Sequence, residues 1–279
     1  MSSGRDACKS AGYWGKLALR WQQLGPPLRP SAEDLAVCQE VIGRWSGSAR
    51  APRAMVLGTT PEYFHLPWSA GTELVAVDYT QAMIDRVWPG GAGGAICADW
   101  QSLPLADASR DIVLCDGGLL TLRFPEGVRK LAENLRRIIA PQGFCVFRCY
   151  VLPEKRETVE TVLGDFRAGR ISNLNELKMR LWLAANARGE EGVELAHVWE
   201  IVHDIMGDAD ESAQKTGWPT ALLRAIDHYR GCSVRFFFFD VKALCDIFCR
   251  EIGGFELVEV RVPGYAMGPQ CPTVVFRRA

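Results

Sequence analysis

Four short polar stretches punctuate the first half of the chain, each at the end of an apolar run: Gly58-Thr59-Thr60, Asp78, Asp99-Trp100 and Asp116-Gly117-Gly118. Asp78 stands twenty residues after Gly58. At that spacing a carboxylate closing a second strand accepts from the two hydroxyls of a ribose. A short acid beside an indole, as in Asp99-Trp100, suits the amino edge and the face of an adenine. Gly117 and Gly118 allow close backbone approach. Each signal alone has an ordinary reading as a turn or cap residue. Four in order, at successive strand ends, point to a nucleoside-bearing cofactor.

The elements that must position these residues can be read from the apolar pattern. Residues 54–57, 73–78, 111–118 and 143–150 are near-continuous apolar runs, as central strands of a parallel sheet require. Between them, 126–140 sets Val128, Leu131, Leu135, Ile138 and Ile139 on one helical stripe and stops at Pro141 and Gly143. This alternation predicts a doubly wound α/β sheet. After Tyr150 the pattern turns helical, for example over 175–188 and 193–206. The sheet is expected to resume with RFFFFD (235–240), then a helix that Asp240 caps. Two strands at 255–262 and 273–278 are expected to pair antiparallel. The expected organisation is an N-terminal helical arm (1–50), a sheet core (51–150 and 233–279) and a helical cap inserted after the fifth strand (151–232).

Composition narrows the function classes. The chain has 279 residues, 48% of them apolar, and a net charge of −1, so a sizeable core can form and nothing suggests a polyanion partner. No apolar run reaches the ~18 residues of a membrane span. The first ten residues, MSSGRDACKS, hold no apolar signal core, and a cytoplasmic location is the expectation. Ten cysteines occur without any CxxC pair; buried free thiols are expected rather than a metal site or disulfides.

At Gly58 the turn holds one glycine where a nucleotide loop commonly has several. Thr60 is expected to cap the next helix, Pro61 to fill its first position and Glu62 to complement its dipole. Free amides there, with the Thr59 or Thr60 hydroxyl, then serve an anionic group in place of the missing glycines.

The stretch ADWQSLPLADASRDIVLCDGGL (98–119), with LRRIIAPQGFCVF (135–147), resembles the class I S-adenosylmethionine-dependent methyltransferases. The likeness spans about residues 50–150 and, more loosely, 233–279. It implies a seven-stranded, mostly parallel sheet with the last strand antiparallel, and S-adenosylmethionine as methyl donor. By the same resemblance, Gly58, Thr59 and Thr60 face the methionine end, Asp78 with Tyr79 and Met83 holds the ribose side, and Asp99 and Trp100 meet the adenine. Asp116 and Gly117 lie near the transferred methyl. Val56 takes the place of the acid usual before the first turn. From the arm, Tyr13 and Trp21 are expected to close over the cofactor, and Arg20 to reach its carboxylate.

Methyl transfer from a sulfonium needs alignment more than acid–base help. Acid–base candidates lie in the cap: His197, Glu200 and His203, with Asp204 on the face of the first two. A metal site is conceivable there although the spacing matches no common zinc pattern; a polar pocket wall and a solvated face are the favoured readings. His228 with Tyr229, and Arg148 with Tyr150, are further pocket candidates. The expected substrate is a small-molecule acceptor, with neither nucleic acid nor membrane as partner. Two other readings stay open: a non-catalytic cofactor-binding or regulatory module on the same fold, and an enzyme of nicotinamide or aminopropyl chemistry on the same sheet.

Overall fold

The computed structural model describes residues 12–45, 50–186 and 191–279. Seven strands form one sheet: β1 (Arg53–Leu57), β2 (Glu73–Asp78), β3 (Ala95–Cys97), β4 (Arg110–Asp116), β5 (Ile139–Arg148), β6 (Phe255–Arg261) and β7 (Thr273–Arg278). Their spatial order is β3-β2-β1-β4-β5-β7-β6. All pairings from β3 to β5 are parallel, and β7 runs antiparallel to both β5 and β6.

The central runs are apolar throughout because both sheet faces are covered. Met55, Leu57, Val113 and Cys115 pack on one face. Ala54, Val56, Ile112 and Leu114 pack on the other. The chain begins with α1 (12–18) and α2 (Ala32–Trp45); α2 lays Val37, Val41 and Ile42 on the second face. Then come α3 (Pro61–Phe64), α4 (Gln81–Val87) and α5 (Glu126–Ile138). The stripe of α5 covers the first face, with Val128, Leu131, Leu135 and Ile138 fully buried. Helix α5 stops at Ile138 rather than at 140, because Ile139 already pairs with Arg110 and opens β5.

After β5 the cap follows: α6 (Val159–Arg167), α7 (Leu174–Ala185), α8 (Leu195–Met206), α9 (Ala209–Thr216) and α10 (Thr220–Arg224). Residues 187 and 188 of the helix expected over 175–188 lie outside the described residues, as do 1–11 and 46–49 of the arm. The cap and the arm share a core in which Tyr13 and Leu17 pack with Leu174, Trp182, Tyr229 and Phe236.

RFFFFD departs from expectation. Only Arg235–Phe236 is a strand, and it pairs with Val193–Glu194 in a two-stranded ribbon apart from the main sheet. The run is apolar on both sides for another reason. Phe236 and Phe238 enter the cap core, whereas Phe239 enters the sheet core and stacks on Phe124 at 5.1 Å. It is a pin between two cores. Asp240 then caps α11 (Val241–Cys245), accepting from the amide of Ala243 at 2.7 Å.

Candidate cofactor and acceptor cleft

The carboxyl ends of β1, β2 and β4 and the turn after β3 open onto one cavity of about 470 Å³, roofed by the arm and the cap. That volume suits a small-molecule site. Its wall includes Gly58, Thr59, Thr60, Asp78, Tyr79, Met83, Asp99, Trp100, Asp116 and Gly117, with Tyr13 and Trp21 from the arm. Its charged lining consists of three carboxylates; among the described residues no lysine, arginine or histidine borders it.

The turn after β1 solves its geometry with one glycine. Gly58 has φ +95° and donates to the carbonyl of Val77 at 2.8 Å. Thr60 keeps an ordinary φ of −57° and makes no side-chain cap bond, so its expected capping role is not realised. The positive φ falls on the residue without a Cβ, and the β-branched residue is spared it. Thr59 and Thr60 are buried, and the Thr59 hydroxyl, on the cavity wall, has no partner. Glu62 is taken by Arg29 of the arm at 2.6 Å, so it clamps the arm as well as starting a helix.

Asp78 ends β2. Its Oδ1 accepts from the amide of Thr80 at 2.8 Å, and burial raises its carboxyl from 3.8 to about 6. Asp99 accepts from the amide of Gln101 at 2.9 Å and is otherwise exposed. Trp100 is pinned by its indole N–H to the carbonyl of Val77 at 2.7 Å. A Cβ on Gly118 would lie 2.6 Å from the Trp100 ring, which is why glycine stands there.

Asp116 forms a buried ion pair with Arg148, Nε to Oδ1 at 2.6 Å. Burial pushes its carboxyl up to about 6 and the guanidinium opposes the rise, so the pair is ionised at neutral pH. Arg148 also donates to the carbonyl of Pro27 at 3.0 and 3.1 Å and to the Tyr150 hydroxyl at 3.2 Å. It therefore ties the tip of β4 to the arm. Gly117 has φ +62°, and a Cβ there would lie 2.6 Å from the Tyr150 ring.

Four expectations part from this geometry. Arg20 donates to the carbonyl of Ala225 at 3.4 Å and does not border the cavity; its length is spent joining arm to cap. His197 and Glu200 are 59% and 65% exposed and pair with each other at 3.5 Å. His203 stacks on Trp199 at 4.7 Å. The three lie off the cavity because Leu195, Val198, Val202 and Met206 occupy the inward stripe of α8 and leave the polar face to solvent. Trp182 and Phe236, which do line the cavity, were not singled out from sequence. An apolar helix position and a phenylalanine run carry no signal that separates pocket from core.

A methyltransferase domain model matches residues 56–147. No curated protein matches the chain. A Rhodobacter sphaeroides protein crystallised as a candidate zinc-dependent alcohol dehydrogenase superposes with a TM-score of 0.61 at 14% identity, over 97% of this chain and 99% of that one. An S-adenosylmethionine-dependent methyltransferase from Mesorhizobium loti gives 0.48 at 15% identity, over 89% and 99%. At these identities the first match speaks for the fold alone and the second carries no weight. The matched stretch and the seven-stranded sheet with its antiparallel last strand agree on a methyltransferase domain over residues 56–147, on a sheet of the topology that the class I S-adenosylmethionine-dependent methyltransferases have.

Proposed function

We propose that the protein is an active methyltransferase that moves the methyl group of S-adenosylmethionine to a small-molecule acceptor enclosed under the cap. The observation that carries this reading is the continuity of one cavity from the strand tips to the aromatic rings of the cap. When bound, the cofactor supplies a methyl group on a positively charged sulfur, ready for direct displacement. The cleft suits that charge, since its wall offers carboxylates and aromatic faces and no cation among the described residues.

The chain's own residues then bind and exclude water. Asp78 has one carboxylate oxygen occupied by Thr80, and the other is available to ribose hydroxyls. Asp99 and Trp100 receive the adenine. The unpaired Thr59 hydroxyl and the turn at Gly58 serve the methionine end. Asp116, held by Arg148, sets a fixed negative charge near the methyl. Tyr13, Trp14 and Trp21 close the arm over the site, and the division into arm, sheet core and cap follows from these tasks. A cytoplasmic setting suits the buried thiols of Cys38, Cys115, Cys145 and Cys149, which burial holds protonated. No helix among the described residues is long and apolar enough to cross a membrane.

Calorimetry with S-adenosylhomocysteine tests the cofactor half, and a dissociation constant weaker than ~1 mM ends the reading. Labelled donor incubated with small-metabolite fractions tests turnover. Binding without any labelled product from any fraction replaces the enzyme with a binding module.

A further inference from the structure

The wall of the cavity restricts the chemistry of the acceptor. Beyond the strand tips it is aromatic: Tyr13, Tyr150, Trp182, Tyr229 and Phe236. Phe236 meets Tyr13 at 6.4 Å and Trp182 at 5.1 Å, both edge-on, and Trp182 meets Tyr229 at 6.3 Å. The rings begin beside the position assigned to the methyl, because Tyr150 stands against Gly117 at the tip of β4. Such rings enclose a flat ligand, and their faces attract positive charge.

No group on this wall is placed to take a proton from an acceptor. Among the described residues no lysine, arginine or histidine borders the cavity. Burial pushes the phenols of Tyr13, Tyr150 and Tyr229 up, so none supplies a phenolate. Asp78 and Asp99 belong to the sugar and base of the cofactor. Arg148 holds Oδ1 of Asp116 at 2.6 Å, and a proton on that carboxylate would strand a buried guanidinium without its counter-charge. Lys178 is 3% exposed and 5.9 Å from the centroid of the Tyr229 ring, but it does not border the cavity. The wall thus offers an anion no cation, which disfavours phenolates, thiolates and carboxylates as acceptors. An aliphatic amine arrives protonated and finds no base. Two kinds of atom attack without losing a proton, a thioether sulfur and a bare aromatic ring nitrogen, and the ring walls favour the flat one.

Resting on the methyltransferase reading above, we propose that the acceptor is a neutral aromatic nitrogen heterocycle, methylated on a ring nitrogen that bears no hydrogen. That nitrogen faces the donor beside Tyr150, and the rest of the ring lies among Tyr13, Trp182, Tyr229 and Phe236. The nitrogen lone pair forms the new N–C bond while the C–S bond breaks with its pair going to sulfur. S-adenosylhomocysteine and an N-methyl heteroarylium ion result, and no proton moves. One positive charge passes from sulfur to nitrogen, so the carboxylates and ring faces that suit the sulfonium serve the product without rearrangement.

Two measurements on the full chain test this. The first titrates it with N-methylquinolinium and with 1-naphthoate, a flat anion of similar size. Saturated with S-adenosylhomocysteine, the chain binds the cation about tenfold or more tighter than the anion. Saturated with S-adenosylmethionine, it binds the cation about tenfold or more weaker than before, because two positive charges then meet at the place of transfer. The cation has no lone pair and cannot react. Trp182→Leu and Phe236→Leu each weaken the cation about fivefold or more. Both keep the wild-type affinity for S-adenosylhomocysteine, which shows an intact cofactor site. The second measurement incubates labelled donor with small-metabolite fractions and, once the donor is removed, passes the product over a cation exchanger in alkali. The labelled product is retained, since its charge is fixed, and it absorbs in the near ultraviolet. Equal or tighter binding of the anion, or a cation affinity indifferent to the donor's charge, overturns the inference and leaves the methyltransferase reading in place. So does a labelled product that loses its charge in alkali or lacks aromatic absorption. Failure of S-adenosylhomocysteine to bind the wild-type chain, or no labelled product from any fraction, overturns both.

Discussion

Asp78→Asn separates what the cleft does for the cofactor from what it costs the fold. Burial raises the Asp78 carboxyl from 3.8 to about 6, and no charged side chain contributes to that rise. The ionised group therefore carries an unfavourable desolvation of about 3 kcal/mol in the empty protein, at about 1.4 kcal/mol per tenfold in acidity. Between 3.8 and about 6 the folded chain holds more protons than the unfolded one, so stability falls as pH rises through that window. Asparagine removes the charge and keeps an oxygen for the Thr80 amide.

The ligand-free variant at neutral pH should therefore melt higher, by ~2–8 °C, since the group keeps some contact with water and recovers only part of the full figure. Its affinity for S-adenosylhomocysteine should fall by ~10–100-fold, as two charge-assisted hydrogen bonds become neutral ones. Wild-type affinity should decline below pH 6, as the carboxylate protonates, and the variant's should not. Differential scanning calorimetry and isothermal titration on the same two samples read both quantities. A variant that melts lower and binds equally well refutes the reasoning on both counts, because Asp78 would then be a structural residue with no ligand waiting for it.

Arg148→Met leaves Asp116 buried without its partner and should cost ~3–5 kcal/mol by denaturant titration. It also frees the Pro27 carbonyl, so limited proteolysis should cut the arm faster than in the wild type. Gly117→Ala forces a Cβ to within 2.6 Å of Tyr150 at φ +62° and should lower stability by ~2–4 kcal/mol, read as a fall in melting temperature. His197→Ala and Glu200→Ala should leave S-adenosylhomocysteine affinity unchanged and stability within ~0.5 kcal/mol, because both side chains face solvent; a tenfold loss of affinity would return them to the site.

The strands were legible because a parallel sheet buried on both faces must be written in continuous apolar residues. The residues just beyond each run then border the cavity. That is why the apolar pattern alone puts Gly58, Asp78, Trp100 and Asp116 together on the cavity wall. The cap was legible only as helical. On α8 the sequence offers two faces, one with Val198 and Val202 and one with His197 and Glu200, and chemistry favours the second while packing turns the first inward. RFFFFD misleads in the same way: a run between two cores has the composition of a strand buried in one. Lys178 and Trp182 sit inside an apolar helical stretch, and burial of an unpaired lysine leaves no trace in spacing.

The lost glycines of the first turn find their explanation at the other side of the cleft. A glycine-rich loop wins anion binding by exposing backbone amides, and here Trp100 and the arm already press on that region. Trp100 packs its ring 3.8 Å from where a Cβ on Gly58 would stand and closes against Gly118. Arg29 seizes Glu62 just beyond the turn and lies 5.8 Å from the Trp21 ring, while Arg148 holds Pro27. The loop is thus fixed by side chains from the turn after β3 and the arm, not by its own flexibility being spent at binding. Threonines are tolerated where the backbone takes ordinary angles, and a buried unpaired hydroxyl at Thr59 is the sort of cost a fold retains where a ligand removes it.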